Sequence, residues 1–166
     1  MRGSGSGSGR VEKVDLDLLG ALKEAGIAYN EELTRMYQDF QPKRQKTSTL
    51  ESWPEESCRL YEPDITDTEY YTEDLLKNAK EYSDTAIMVV GRLSGESNDC
   101  PQIQYKKVKK NGQLLRDKRR SYLDLSTEEE GLLRYLGENY KNVILLLNTG
   151  NVMTLGAIEL MPGIGA

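Results

Sequence analysis

The chain reads as an α/β protein. Two continuous apolar runs, Thr85-Ala86-Ile87-Met88-Val89-Val90 and Val143-Ile144-Leu145-Leu146-Leu147, each follow a segment with helical periodicity. Runs without polar alternation are the pattern of strands buried on both faces, as in a parallel sheet. Two helix–strand units separated by a crossover give a right-handed α/β arrangement.

At 166 residues, 37% of them hydrophobic and with a mean hydropathy of −0.63, the chain has material for one domain with a lean core. Its first ten residues, MRGSGSGSGR, offer no side chains that could bury anything and read as a Gly/Ser linker or tag. The fold is therefore expected within residues 11–166.

Residues 15–25 space Leu16, Leu19 and Leu22 by three, and Gly26 follows where a helix would stop. Asn30 opens a second helix, with Glu31 and Glu32 in its first turn and Leu33, Met36, Tyr37 and Phe40 as its apolar stripe. Residues 41–67 form a long polar connection containing Pro42, Pro54 and Pro63, with Trp53 as its anchor. Thr72 caps the next helix, whose inward face is Leu75, Leu76, Ala79 and Tyr82, and Ser83-Asp84 joins it to the first strand.

Beyond that strand, Gln102 to Val108 alternates weakly and Asn111-Gly112 gives a hairpin signal, so the region reads as an inserted excursion rather than core. Ser126-Thr127-Glu128-Glu129 is a capping box, and Leu132, Leu133, Leu136 and Tyr140 continue its helix. The second strand ends at Asn148-Thr149-Gly150-Asn151. The final turn, Pro162-Gly163 into Ile164 and Ala166, reads as the opening of a further strand, and two parallel strands alone would leave much of a sheet uncovered. A truncated or engineered domain is the expectation.

The net charge of −5 disfavours nucleic acid and anionic membranes as partners. A basic cluster, Lys106, Lys107, Lys109, Lys110, Arg116, Lys118, Arg119 and Arg120, could form a polyanion patch but reads better as a solvated excursion whose charges keep an edge from pairing. With no histidine and two cysteines, Cys58 and Cys100, a Cys/His zinc site and a histidine base are excluded. The two thiols suggest reduced, cytoplasmic cysteines, with a single bridge left open. No apolar run approaches the roughly 20 residues that span a bilayer, and no signal peptide is expected within these residues. A flavodoxin-like nucleotide or phosphate binder is disfavoured, because neither a G-x-G-x-x-G nor a P-loop motif occurs and Gly91-Arg92-Leu93-Ser94-Gly95 is not followed by a helix. No cofactor is expected.

Functional groups in α/β proteins collect beyond the carboxyl ends of strands. The first strand discharges into Gly91 to Glu96, and Ser94-Gly95-Glu96-Ser97-Asn98-Asp99 puts two carboxylates in one loop of small residues. Such pairs can divide acid and base roles when their surroundings separate their pKa values. Judged by spacing alone, Glu96 and Asp99 read better as two solvated loop residues.

Three blocks in order, Leu22 to Leu33, Tyr70 to Glu96 and Arg119 to Asn151, resemble the C-terminal α/β sandwich domain of glycoside hydrolase family 3, most closely its bacterial β-glucosidase-like members. The resemblance covers most of residues 14–166. It implies a three-layer sandwich with a small parallel sheet, flavodoxin-like and incomplete. In that family a separate barrel domain carries the nucleophilic aspartate, and in many members the sandwich domain supplies the general acid/base glutamate. Ser94-Gly95-Glu96 matches that loop, so the role carries onto Glu96.

A retaining glycosidase holds its two carboxyl groups about 5 to 5.5 Å apart, one attacking the anomeric carbon and the other protonating the leaving oxygen. This chain shows no barrel sequence and hence no nucleophile. An opening strand before residue 14 is not found, and 153–159 look altered from the family's closing segment. The resemblance thus implies a fragment that is inactive alone and takes a β-glucoside only when complemented by a barrel. The alternative is an engineered α/β scaffold or self-associating binding module, with a second copy or partner chain completing the sheet.

Overall fold

The computed structural model describes residues 17–43, 62–92, 103–107, 114–150, 152–156, 158, 161 and 164. Helix α1 spans Leu18–Glu24, capped by Asp17, whose Oδ1 accepts from Gly20 N at 2.7 Å. The expected glycine stop is present: Gly26 takes a φ of 69°, its N–H bonds to Lys23 O, and Ile27 N–H bonds back to Leu22 O. That pair of bonds is a Schellman motif, and it needs the left-handed conformation that glycine adopts without strain.

Helix α2, Glu31–Phe40, begins at Asn30, which accepts from Leu33 N and donates to Asn78 Oδ1 at 2.7 Å. Asn78 belongs to helix α3, Glu73–Tyr82, so one side chain both caps α2 and ties it to its neighbour. The stripe on α2 is core, as its spacing predicts: Phe40 is buried edge-on to Tyr70, Tyr37 OH lies 2.6 Å from Tyr71 OH, and Met36 packs on the same cluster.

Strand β1, Thr85–Arg92, extends past the apolar run to include Gly91 and Arg92. A short hairpin follows, β2 (Tyr105–Lys107) antiparallel to β3 (Leu114–Arg116). Helix α4, Thr127–Asn139, starts at the expected capping box and leads to strand β4, Asn142–Thr149. β1 and β4 pair in parallel from Thr85↔Asn142 through Arg92↔Thr149. Asp84 O accepts from both Lys141 and Asn142 N–H, which fixes that register at its start. The α/β class is therefore as read, with helices on a small parallel sheet and no closed barrel among the described residues.

The core lies on one face of this sheet. Met88, Val90 and Val143 are buried with Tyr71, Leu125, Leu132, Leu133, Met153, Ile158 and Met161. The expectation that the apolar runs are buried on both faces is not met: Ile87, Val89 and Ile144 are 41%, 39% and 46% exposed. Residues two apart on a strand share a face, so the helices converging on Met88 and Val90 leave the faces of Ile87 and Val89 open. An unbroken apolar run reports strand identity, not how many layers the described chain supplies.

Two further expectations are refined. The stem of the excursion is interior rather than inserted surface, since Ile103, Gln104 and Asp117 are all buried. Ile164, read as opening another strand, lies in no strand and packs against the core. Leu16, Trp53 and the Asn111-Gly112 turn lie outside the described residues.

Candidate functional site

Strand β1 ends in a cation. Arg92 is 3% exposed and follows Val90, the last apolar residue of the run. A buried guanidinium is tolerated only when its donors are satisfied and its charge is matched. Here Nη1 donates to Glu129 Oε1 at 2.7 Å and Nη2 to Oε2 at 2.6 Å, a bidentate pair. The remaining N–H groups reach three carbonyls: Nε to Tyr122 O at 2.8 Å, Nη1 to Gly91 O at 2.9 Å and Nη2 to Asp124 O at 2.8 Å. The planar group also lies 5.4 Å from the Tyr122 ring centroid.

Glu129 is the glutamate of the capping box. Its Oε2 accepts from Ser126 N at 2.7 Å, while Ser126 Oγ accepts from Glu129 N at 3.1 Å. A carboxylate recruited to satisfy the first turn of α4 thus also neutralises the strand's terminal arginine. Sequence spacing identifies the box but not this partner. The available signal was a lone arginine at the end of an apolar strand.

The other end of the 93–103 segment arrives at the same place. Gln104, 1% exposed, donates from Nε2 to Asp124 O at 3.0 Å, and its Oε1 accepts from Tyr105 N at 3.1 Å. Its backbone carbonyl accepts from Asp117 N at 2.7 Å. Arg92 and Gln104 therefore share one acceptor, Asp124 O.

A second ionic group flanks this base. Arg120 bonds Glu130 and Leu125 O and lies 3.8 Å from Asp117 Oδ2, and Arg134 reaches the other oxygen of Glu130 at 3.0 Å. The hydrogen bond from Arg120, followed by the charges of both arginines, holds the Glu130 carboxyl below its ordinary range against the opposing effect of burial. Arg120 thus departs from the solvated reading of the basic cluster, while Arg116, Lys118 and Arg119 are exposed as expected.

Glu96 and Asp99, the carboxylates singled out in the sequence, lie outside the described residues, as do Cys58 and Cys100. The structure brings together the two ends of the segment that carries both carboxylates, and these ends sit at the carboxyl end of a parallel strand. A shallow depression of 430 Å³ between α2 and α3, lined by residues including Glu32, Arg35, Asp39, Glu69, Tyr70 and Asp74, contains none of the candidate residues. Among the described residues no group of three His, Cys, Asp or Glu is placed to hold a metal ion, and no helix is long and apolar enough to cross a membrane.

No protein-family model matches the chain. It is 32% identical over 161 residues to a β-glucosidase of Ruminococcus albus, an alignment covering 94% of this chain and 14% of that protein. The chain thus spans a small part of the length of the curated relative it matches, and the similarity is to a segment of a much longer glycoside hydrolase.

Proposed function

We propose that this chain is the acid/base-bearing part of a retaining β-glucosidase of glycoside hydrolase family 3, with Glu96 as the general acid/base. The observation that carries this reading is the 32% identity to a β-glucosidase, sustained along 94% of the chain. The position of Glu96, four residues past the end of β1, supports it, because that strand's carboxyl end is where an α/β sheet presents functional groups.

In the first step the protonated Glu96 carboxyl donates to the glycosidic oxygen while a carboxylate from a barrel domain attacks the anomeric carbon. In the second step the ionised Glu96 takes a proton from water, which attacks the same carbon and releases the barrel carboxylate. General acid assistance of this kind contributes about 10² to 10⁴-fold and does nothing without a bound sugar and a nucleophile. The isolated chain is accordingly inactive.

The test is hydrolysis of 4-nitrophenyl β-glucoside by the purified chain, alone and mixed with a family 3 barrel domain. Turnover only in the mixture, abolished by Glu96→Gln, supports the reading. A mixture with no turnover overturns it.

The open sheet face favours a second reading, a self-associating α/β module. Ile87, Val89 and Ile144 form an exposed apolar patch on strands whose parallel pairing is normally covered on both sides. Light scattering that gives a defined oligomer, together with no glucoside turnover in the barrel mixture, selects this reading instead.

A further inference from the structure

Strand β4 offers an edge with none of the features that keep sheets from pairing with one another. Asn142–Thr149 holds no charge and no proline, and its register with β1 runs without a bulge through eight residue pairs. Asn142 N–H bonds to Asp84 O and Gly150 N–H to Arg92 O, so the even-numbered residues of β4 turn their backbone groups towards β1. The alternate residues Val143, Leu145 and Leu147 turn theirs the other way, and among the described residues no strand pairs with them.

The buried layer also stops over this strand. Val90 and Leu147 are directly paired and therefore share a face, yet Val90 is 1% exposed and Leu147 42%. On the opposite face Ile144 is 46% exposed. β4 is thus bare on both faces beside its outer edge, where β1 is bare on one.

We propose that a second copy of this chain docks on that edge, β4 against β4, to give one continuous sheet in the order β1-β4-β4-β1. The proposal rests on the self-association reading and gives it a geometry, in which sheets join edge to edge instead of stacking on the face of Ile87 and Val89. A twofold axis makes the two identical strands antiparallel. With the axis at Leu145, Leu147 lies opposite Val143 of the second copy and Ile144 opposite its Leu146, so both exposed residues gain an apolar neighbour on their own face. Charge selects a second copy as the occupant. Each chain carries −5 and repels its like wherever acidic surfaces meet, whereas all eight residues of β4 are neutral and the adjoining Lys141 falls opposite Thr149.

Light scattering of the purified chain is expected to give twice the 18.8 kDa of one chain. Leu147→Pro removes an outward N–H and no bond to β1, so circular dichroism should show it folded while its mass falls to that of one chain. Leu147→Lys, a charge on the edge, serves in its place if the proline variant does not fold. Val89→Lys, on β1 and away from this edge, should keep the doubled mass. A folded Leu147 variant that keeps the doubled mass, or a Val89→Lys that loses it, overturns the edge geometry and leaves self-association standing. A wild type at the mass of one chain overturns both, and a higher multiple overturns the closed pair.

Discussion

Arg92 and Glu129 meet in the interior as a bidentate pair, each 3% exposed, at the junction where strand β1 ends and helix α4 begins. Withdrawing two charges from water is expensive, and their attraction compensates only when geometry and additional hydrogen bonds are good. Both conditions hold here: the guanidinium is fully donated and the carboxylate also accepts from Ser126 N.

Breaking this pair is therefore costly. Glu129→Gln keeps an oxygen for the Ser126 N–H but strips Arg92 of its counter-charge, and should reduce the unfolding free energy by about 3 to 5 kcal/mol. Urea denaturation checks this. A loss under about 1 kcal/mol would mean that the buried cation is compensated by its carbonyls alone.

Helix caps should differ by burial. Ser126 is buried and its capping box also orients Glu129, so Ser126→Ala should cost about 2 kcal/mol, the upper end for caps. Thr72, an exposed cap of α3, should cost about 1 kcal/mol or less when changed to alanine. Thermal or urea denaturation of the two variants compares them, and equal losses would separate the Ser126 cap from the Arg92 network.

Glu130 gives a pH dependence with a definite sign. Arg120 lowers its folded-state pKa below the ordinary value of 4.5, so between these two values the unfolded chain binds more protons than the folded one. Its contribution is complete above pH 4.5 and is lost as pH falls through the lowered pKa. The melting-temperature gap between wild type and Glu130→Gln should be widest near neutrality and shrink below pH 4.5. A gap that grows with acidity would reverse the assignment.

The open sheet face predicts association under the self-association reading. Light scattering of the wild type should give a mass above the 18.8 kDa of one chain, rising with concentration. Ile144→Lys, on an already exposed position, should return the mass to that of one chain without lowering the melting temperature. A monomeric wild type contradicts the oligomer.

Much of the fold was legible because its signals are local. Asn30, Thr72 and Ser126 cap their helices through bonds to backbone three residues on, and Gly26 answers the need for a positive φ within its own turn. The Arg92–Glu129 pair was not legible, since it joins residues 37 apart in sequence that nothing in either neighbourhood links. The open face escaped for a related reason: Ile87 and Val89 carry strand chemistry, but their exposure depends on which elements pack from elsewhere. For the candidate site, the sequence supplied Glu96 and the structure supplied the base from which its segment departs.

The central claim, that this chain contributes one of two catalytic carboxylates, is tested most directly by covalent labelling. The chain is mixed with a barrel domain and treated with an activated 2-deoxy-2-fluoro-β-glucoside, which traps the glycosyl-enzyme on the nucleophile, and the polypeptides are weighed by mass spectrometry. The expected result is a fluoroglucosyl adduct on the barrel alone, with this chain at its unmodified mass. An adduct on this chain would contradict the account.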